Sequence, residues 1–139
     1  MMHWATELIG KSYRPGAIGP DAFDCWGLVW YVYNYIFSLP VPYVPYHGGE
    51  KQAARRFFKK YKEIWEEIPL PELHCVVTFS PKVIPTHTGI YLGDRKVLHA
   101  TEGVGVVVDP IDRFKYYGYR TIKFYRHRGV LGYRDPEPL

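Results

Sequence analysis

The sequence predicts an α+β fold in which N-terminal helices pack on a C-terminal antiparallel sheet. Helical spacing of apolar residues dominates the first half of the chain, and short β-prone runs follow one another from residue 73 onward. With 139 residues the chain has room for one hydrophobic core, so we expect a single domain over 1–139. Residues 133–139 are polar and contain two prolines, and we expect a frayed tail there.

The first half of the chain contains three predicted helices. Trp4, Leu8 and Ile9 are spaced as on one helix face, which predicts a short helix over residues 2–10. A second, central helix over 25–37 has Asp24 as its N-cap and a continuous apolar stripe. A third helix is predicted over about 50–67, with aromatic residues on one face and basic residues on the other. The segments 13–23 and 38–49 are rich in Pro and Gly, and they predict irregular connections.

The second half consists of five predicted strands. They cover residues 73–79, 86–92, 96–101, 104–109 and 120–127, and Gly, Pro or Asp turns separate them. Successive strands with short connections predict an antiparallel meander.

Composition and charge restrict the function classes. The net charge of +4 and the pI of about 9.0 suit a polyanionic partner such as nucleic acid, an anionic membrane or a bacterial wall. No apolar run approaches the roughly 20 residues that a membrane helix needs, so we expect no membrane insertion. Two cysteines exclude a disulfide-dense scaffold and a four-cysteine zinc site. The N-terminus shows no basic segment followed by an apolar one, and we expect no signal peptide.

Cys25 is the first candidate for chemistry because it begins the predicted central helix. The unpaired amide groups and the dipole at a helix N-terminus favour a thiolate, which is the nucleophilic form of cysteine. A proton shuttle is available in His87 and His99, which lie in neighbouring predicted strands. The structural alternative makes Cys25 a small buried apolar residue and both histidines packing residues. Cys75 is expected to be a buried apolar residue at the start of a strand.

Hairpin geometry decides whether the two histidines can share a face. They lie 12 residues apart around a turn, so a regular hairpin places them on one face only if its loop has an odd number of residues. A three-residue loop over 93–95 satisfies this condition. A two-residue loop, Asp94 and Arg95, satisfies it only if a β-bulge adds one residue to a strand and so returns both histidines to the same face.

Four segments together resemble a known family. They are Phe23-Asp24-Cys25-Trp26-Gly27-Leu28-Val29, Gly10-Lys11-Ser12-Tyr13, His87-Thr88-Gly89-Ile90-Tyr91-Leu92-Gly93 and Val97-Leu98-His99-Ala100. Their order and spacing resemble the NlpC family of cell-wall cysteine peptidases, papain-like in fold, over about residues 4–128. The resemblance extends to the short members found in phage tails.

The resemblance implies a role for each matched residue. Cys25 attacks a peptide carbonyl, His87 takes and returns the proton, and His99 orients the imidazole of His87. Tyr13 helps to stabilise the oxyanion together with backbone amides at the helix start. Asp24 and Trp26 are assigned to substrate binding, with helix capping by Asp24 and packing by Trp26 as the structural alternatives. The implied chemistry needs no metal and no organic cofactor.

The substrate implied by the resemblance is the stem peptide of peptidoglycan, cut between γ-D-glutamate and a diamino acid. We expect synthesis in a bacterial cytoplasm and delivery to the cell envelope in a phage or prophage tail, with other tail proteins as partners.

Four alternatives remain open. They are a tail-tip structural protein with the same fold and little or no hydrolysis, an acyl or amide transferase, a zinc hydrolase using Cys25, His87 and His99, and a nucleic-acid module. The interleaved acidic residues and the missing groove-reading motif argue against specific nucleic-acid binding. The oligomeric state is left open.

Overall fold

A computed structural model describes residues 3–42 and 63–129 of the chain. Within these ranges the fold is α+β, as predicted, with one long helical segment, residues 25–36, ahead of the main sheet. The helical elements are a 3-10 helix Trp4–Glu7, the helix α1 Cys25–Tyr31 continued by a π-helix Val32–Ile36, and a 3-10 helix Ile111–Tyr117. The strands are β1 Ser12–Tyr13, β2 Ala22–Phe23, β3 Trp65–Ile68, β4 Val76–Ser80, β5 His87–Gly93, β6 Lys96–Thr101, β7 Gly105–Pro110 and β8 Thr121–His127.

Six of the strands form one antiparallel sheet in the order β3-β8-β4-β5-β6-β7. The five strands predicted from the sequence are therefore present, and their limits differ from the prediction by at most three residues. The remaining strands, β1 and β2, form a small parallel pair just before α1, with Tyr13 opposite Phe23.

Two predicted helices differ from the structure. The N-terminal helix is a single 3-10 segment, Trp4–Glu7, rather than a helix over 2–10. At the end of the third predicted helix, Trp65–Ile68 is the edge strand β3, paired with β8 from Trp65 opposite His127 to Ile68 opposite Phe124. Pairing with β8 gives the backbone N–H and C=O groups of this segment hydrogen-bond partners. This tertiary pairing decides the structure of the segment, although its apolar spacing predicts a helix. Residues 50–62 of that prediction, and the tail 133–139, lie outside the described residues.

The sheet buries two apolar clusters, because side chains alternate between its faces. The helix-side cluster joins α1 to the sheet and includes Cys25, Leu28, Val29, Val76, Ile90, Leu98 and Val106. The second cluster is formed by Val77, Phe79, Tyr91, Val97, Ile111 and Phe114. The central sheet is thus covered on both faces. Among the described residues, no helix is long and apolar enough to cross a membrane.

Gly27 lies where the loop before α1 crosses the first turn of the helix. A Cβ atom built at this position would be 1.9 Å from the carbonyl oxygen of Ala17, which is a backbone atom. We therefore expect Gly27→Ala to lower the free energy of unfolding by about 2–3 kcal/mol, since a backbone clash is relieved only by moving the loop or the helix. Urea denaturation measures this change.

Gly103→Ala is the control for that substitution. Gly103 has a positive φ of 80°, but no atom lies within 4 Å of its ideal Cβ position. The left-handed conformation alone costs a side chain roughly 1–2 kcal/mol. If Gly103→Ala lowered the free energy of unfolding as much as Gly27→Ala or more, the clash with Ala17 would not be the reason for a glycine at position 27.

Candidate active site

The β5–β6 hairpin brings His87 and His99 together. Its turn has two residues, Asp94 and Arg95, with positive φ values of 50° and 59°. The pairing passes from Tyr91 opposite Val97 to Gly93 opposite Lys96, so one residue of β5 is extra and forms a bulge. Of the two hairpins compatible with a shared face, the two-residue loop with a bulge is the one observed. His87 Nε2 lies 2.8 Å from His99 Nδ1.

Gly89 makes the close approach of these two strands possible. An ideal Cβ at Gly89 would lie 2.7 Å from the carbonyl oxygen of Leu98 and 3.1 Å from Cβ of His99. A side chain here would therefore press against β6 beside the imidazole of His99. Close packing against β6 therefore explains why residue 89 is a glycine.

Aromatic rings surround His87. Its imidazole stacks on Tyr119 at 5.8 Å between ring centroids and also contacts Phe79 and Phe114. Burial, followed by the neighbouring charge of His99, lowers the pKa of His87 to about 3. Burial also lowers the pKa of His99, although its bond to a carboxylate acts in the opposite direction. Both imidazoles are therefore neutral at neutral pH.

That carboxylate belongs to Asp109, a residue that the sequence interpretation missed. Asp109 Oδ2 lies 2.8 Å from His99 Nε2, and its other oxygen accepts a hydrogen bond of 2.9 Å from Arg113 Nη1. Burial alone raises the pKa of Asp109, but the hydrogen bond to His99 and the charges around it leave it below its ordinary value. We refer to His87, His99 and Asp109, joined by these bonds, as the His–His–Asp chain.

Strand alternation was the signal that could have revealed Asp109. In the antiparallel pair β6–β7, Val107 lies opposite His99, and Asp109 is two residues further along the same face. The sequence interpretation used this aspartate only as the end of a predicted strand.

Cys25 is the first residue of α1, as predicted, and α1 packs across β5 and β6, which contain His87 and His99. Its side chain is fully buried in the helix-side cluster. Tyr13 packs against the same cluster from β1. Cys75 is buried as expected, and burial raises its pKa to about 11.

The two residues assigned to substrate binding are both buried. Asp24 Oδ1 accepts a hydrogen bond of 2.6 Å from the amide of Gly27, and Oδ2 accepts one of 2.7 Å from the amide of Gly16. Asp24 is therefore a helix cap and a loop anchor in this structure, as its structural alternative predicts, and its assignment to substrate binding stays a prediction. Trp26 is 1% exposed and packs in the helix-side cluster, which favours packing over a position on the cleft wall.

Comparison with known proteins assigns the chain to a family. A model of the NlpC/P60 family matches residues 10–126. The chain belongs to the NlpC/P60 family. It is 29% identical over 104 residues to the probable peptidoglycan endopeptidase LytE of Bacillus subtilis, which covers 73% of this chain and 27% of LytE. It is 33% identical over 97 residues to a probable endopeptidase of Corynebacterium glutamicum, with 69% of this chain and 39% of the relative covered. The chain thus spans well under half the length of these relatives.

Solved structures show the same fold. The NlpC/P60 domain of the peptidoglycan hydrolase SagA has a TM-score of 0.60 at 18% identity and covers 86% of this chain and 91% of that domain. NlpC1 of Trichomonas vaginalis has a TM-score of 0.60 at 23% identity and covers 88% of this chain and 41% of its own. The predicted papain-like, NlpC-type α+β fold is confirmed.

The zinc alternative requires Cys25, His87 and His99 as metal ligands. Within residues 3–42 and 63–129, no group of three or more His, Cys, Asp or Glu side chains is arranged to hold a metal ion. Both ring nitrogens of His99 are already engaged in the His–His–Asp chain. Of the basic residues that suggested a nucleic-acid module, those at 51–62 lie outside the described residues, and Arg126 pairs with Glu66 and Glu72.

Acid should destabilise this NlpC/P60 domain through His87. Its pKa falls from 6.5 to about 3 on folding, so between these pH values the unfolded chain binds a proton that the folded chain does not. The stability that the neutral imidazole contributes is present above pH 6.5 and is lost as the pH falls towards 3. Urea denaturation from pH 7 to pH 4 should show a smaller loss of stability in His87→Gln than in the wild type. Equal losses would contradict this assignment.

Proposed function

We propose that this NlpC/P60 domain is a cysteine endopeptidase that hydrolyses the stem peptides of peptidoglycan. The observation that carries the proposal is the buried His–His–Asp chain, whose two histidines lie on β5 and β6, the strands against which the helix of Cys25 packs. A paired imidazole next to a nucleophile-bearing helix suits acyl transfer through a thioester. The names of LytE, a probable peptidoglycan endopeptidase, and SagA, a peptidoglycan hydrolase, support peptidoglycan as the substrate.

The proposed first step forms a thioester. Cys25 Sγ attacks the carbonyl carbon of the peptide while its proton passes to Nδ1 of His87, the ring nitrogen that is not bonded to His99. The C–N bond then breaks, and the amine leaves with the proton from His87. In the second step water attacks the thioester, gives a proton to His87, and the thiol of Cys25 is released. Every proton in this cycle passes through His87, so the cycle needs neither a metal nor an organic cofactor.

The remaining residues position these groups. His99 holds the ring of His87 through the 2.8 Å bond between Nε2 and Nδ1. Tyr13 and the backbone amides at the start of α1 stabilise the negative oxygen of the tetrahedral intermediate. Preorganised donors of this kind typically account for roughly 3–4 kcal/mol of transition-state stabilisation.

The proposed scissile bond joins γ-D-glutamate to the diamino acid of the stem peptide. A γ-DL-glutamyl hydrolase of Bacillus subtilis, 26% identical over 115 residues, supports a γ-glutamyl bond. Liquid chromatography with mass spectrometry can follow a synthetic stem tetrapeptide, L-Ala-γ-D-Glu-diaminopimelate-D-Ala, incubated with the purified protein. We expect L-Ala-D-Glu and diaminopimelate-D-Ala as products, and no cleavage of an otherwise identical peptide with an α-linked L-glutamate. Cleavage at another bond would contradict this specificity.

We further propose that the domain is carried in a phage or prophage tail, with other tail proteins as partners, and acts at the cell envelope after delivery. The resemblance of residues 102–105 and 124–127 to the short phage-tail members supports this location. Quantitative proteomics of purified virions from a producing strain should detect the protein in the tail fraction. Its absence from virions would contradict the location, and its presence without stem-peptide cleavage would favour a structural role in the tail.

A further inference from the structure

We propose that Asp109 is a positioning residue that sets the tautomers of both histidines and thereby leaves Nδ1 of His87 free of a proton. This inference deepens the proposed function and rests on it. Asp109 reaches neither Cys25 nor His87 through its described hydrogen bonds, so it acts through His99.

The carboxylate of Asp109 is held in one orientation. Oδ1 accepts a hydrogen bond of 2.9 Å from Arg113 Nη1, and Oδ2 accepts one of 3.3 Å from the hydroxyl of Tyr117. Both partners lie on the 3-10 helix that follows β7, and the side chain of Asp109 is 10% exposed. An ionised carboxylate only accepts hydrogen bonds, so the 2.8 Å contact requires His99 Nε2 to carry the proton.

The tautomer of His99 then determines that of His87. A neutral imidazole has one N–H group, so a proton on Nε2 of His99 leaves its Nδ1 as an acceptor. The partner of that Nδ1 is Nε2 of His87, at 2.8 Å, and this atom must therefore be the donor. His87 is also neutral, and its Nδ1 is left without a proton. This is the nitrogen that the proposed mechanism needs as a base.

Asp109→Asn removes the carboxylate that keeps the proton on Nε2 of His99. In Asp109→Asn the side-chain NH₂ can donate to His99 Nε2, which shifts the proton of His99 to Nδ1. His99 then donates to Nε2 of His87, and the proton of His87 moves to Nδ1. In this tautomer His87 cannot accept the thiol proton from Cys25.

Nitrogen NMR of the intact protein measures the tautomers directly. With ¹⁵N-histidine labelling, long-range ¹H–¹⁵N correlation spectra distinguish a proton on Nε2 from a proton on Nδ1, and His87→Gln and His99→Gln assign the signals. We expect both rings in the wild type at neutral pH to carry the proton on Nε2. In Asp109→Asn we expect a substantial population with the proton on Nδ1 in both rings.

Asp112→Asn is the matched control. Asp112 lies on the same 3-10 helix, is exposed and pairs with Arg95, so this variant removes the same charge without touching His99. Its spectrum and its turnover of the stem tetrapeptide should match the wild type. In Asp109→Asn kcat should fall roughly 10- to 100-fold with little change in KM, because the lost carboxylate acts on the protonation of His87 through His99.

The two readouts separate failure of this inference from failure of the proposed function. Wild-type spectra with the proton on Nδ1 of either ring would overturn the inference even if Asp109→Asn does not fold. Unchanged tautomers and unchanged kcat in a folded Asp109→Asn would also overturn it. If the wild type shows the expected tautomers and Asp109→Asn shifts them, but the wild type cleaves no stem peptide, the proposed function fails while the inference about Asp109 stands.

Discussion

Cys25→Ala abolishes the hydrolysis of stem peptides and leaves the fold intact: this is the largest effect that we expect from a single substitution. Without the sulfur no thioester forms, and the loss of kcat should be at least about a thousandfold. The structural cost should be small, since removing one buried atom of this size costs roughly 1 kcal/mol. Cleavage of the synthetic stem tetrapeptide gives the activity, and thermal denaturation verifies the fold.

Cys75→Ala is the control for this substitution. Cys75 is also buried, at 3% exposed, but it belongs to the second cluster rather than to the helix-side cluster of Cys25. The control variant should lose a similar amount of stability and keep its activity. Residual cleavage in Cys25→Ala, or equal losses in both cysteine variants, would refute the assignment of Cys25 as the nucleophile.

His87→Gln should cause the second largest loss. The amide of glutamine cannot take up the thiol proton, and removal of a general base typically costs about 10²- to 10⁴-fold in rate. His99→Ala should impair turnover less completely, because the base itself remains. Steady-state kinetics on the stem tetrapeptide should therefore rank kcat as wild type, His99→Ala, then His87→Gln.

Thr88→Ala tests whether such a loss reflects chemistry or packing. Thr88 is the next residue of β5, is fully buried and donates a hydrogen bond of 2.9 Å to the carbonyl oxygen of Val77. Its replacement should cost about 1 kcal/mol of stability and little activity. If Thr88→Ala lost as much kcat as His87→Gln, disruption of β5 would explain both results.

Local sequence patterns predicted the elements that hold the candidate site. The cap at Asp24 and the apolar stripe after it predicted α1, since both depend on residues close together in the chain. Short β-prone runs bounded by turn residues predicted β5 and β6, and the odd-or-even length of the loop limited their hairpin to two geometries. The choice between them depended on where the extra residue of β5 is accommodated, which local patterns do not determine.

Long-range contacts explain what the sequence did not predict. Trp65–Ile68 became a strand because β8, about 60 residues away in the chain, offers a partner for its backbone. Asp109 was missed because its function depends on the register of β6 and β7 and on the helix that supplies Arg113. The hydrogen bond that Asp24 accepts from the amide of Gly16 likewise depends on a loop whose path the sequence does not reveal.

The most direct test of the central claim is mass spectrometry of the fragments that the purified protein releases from diaminopimelate-type peptidoglycan, with Cys25→Ala alongside. We predict soluble fragments that end in γ-D-glutamate, with a new amino terminus on diaminopimelate, from the wild type and none from Cys25→Ala. The claim is contradicted if a folded wild-type protein releases no fragments, or if Cys25→Ala releases the same ones.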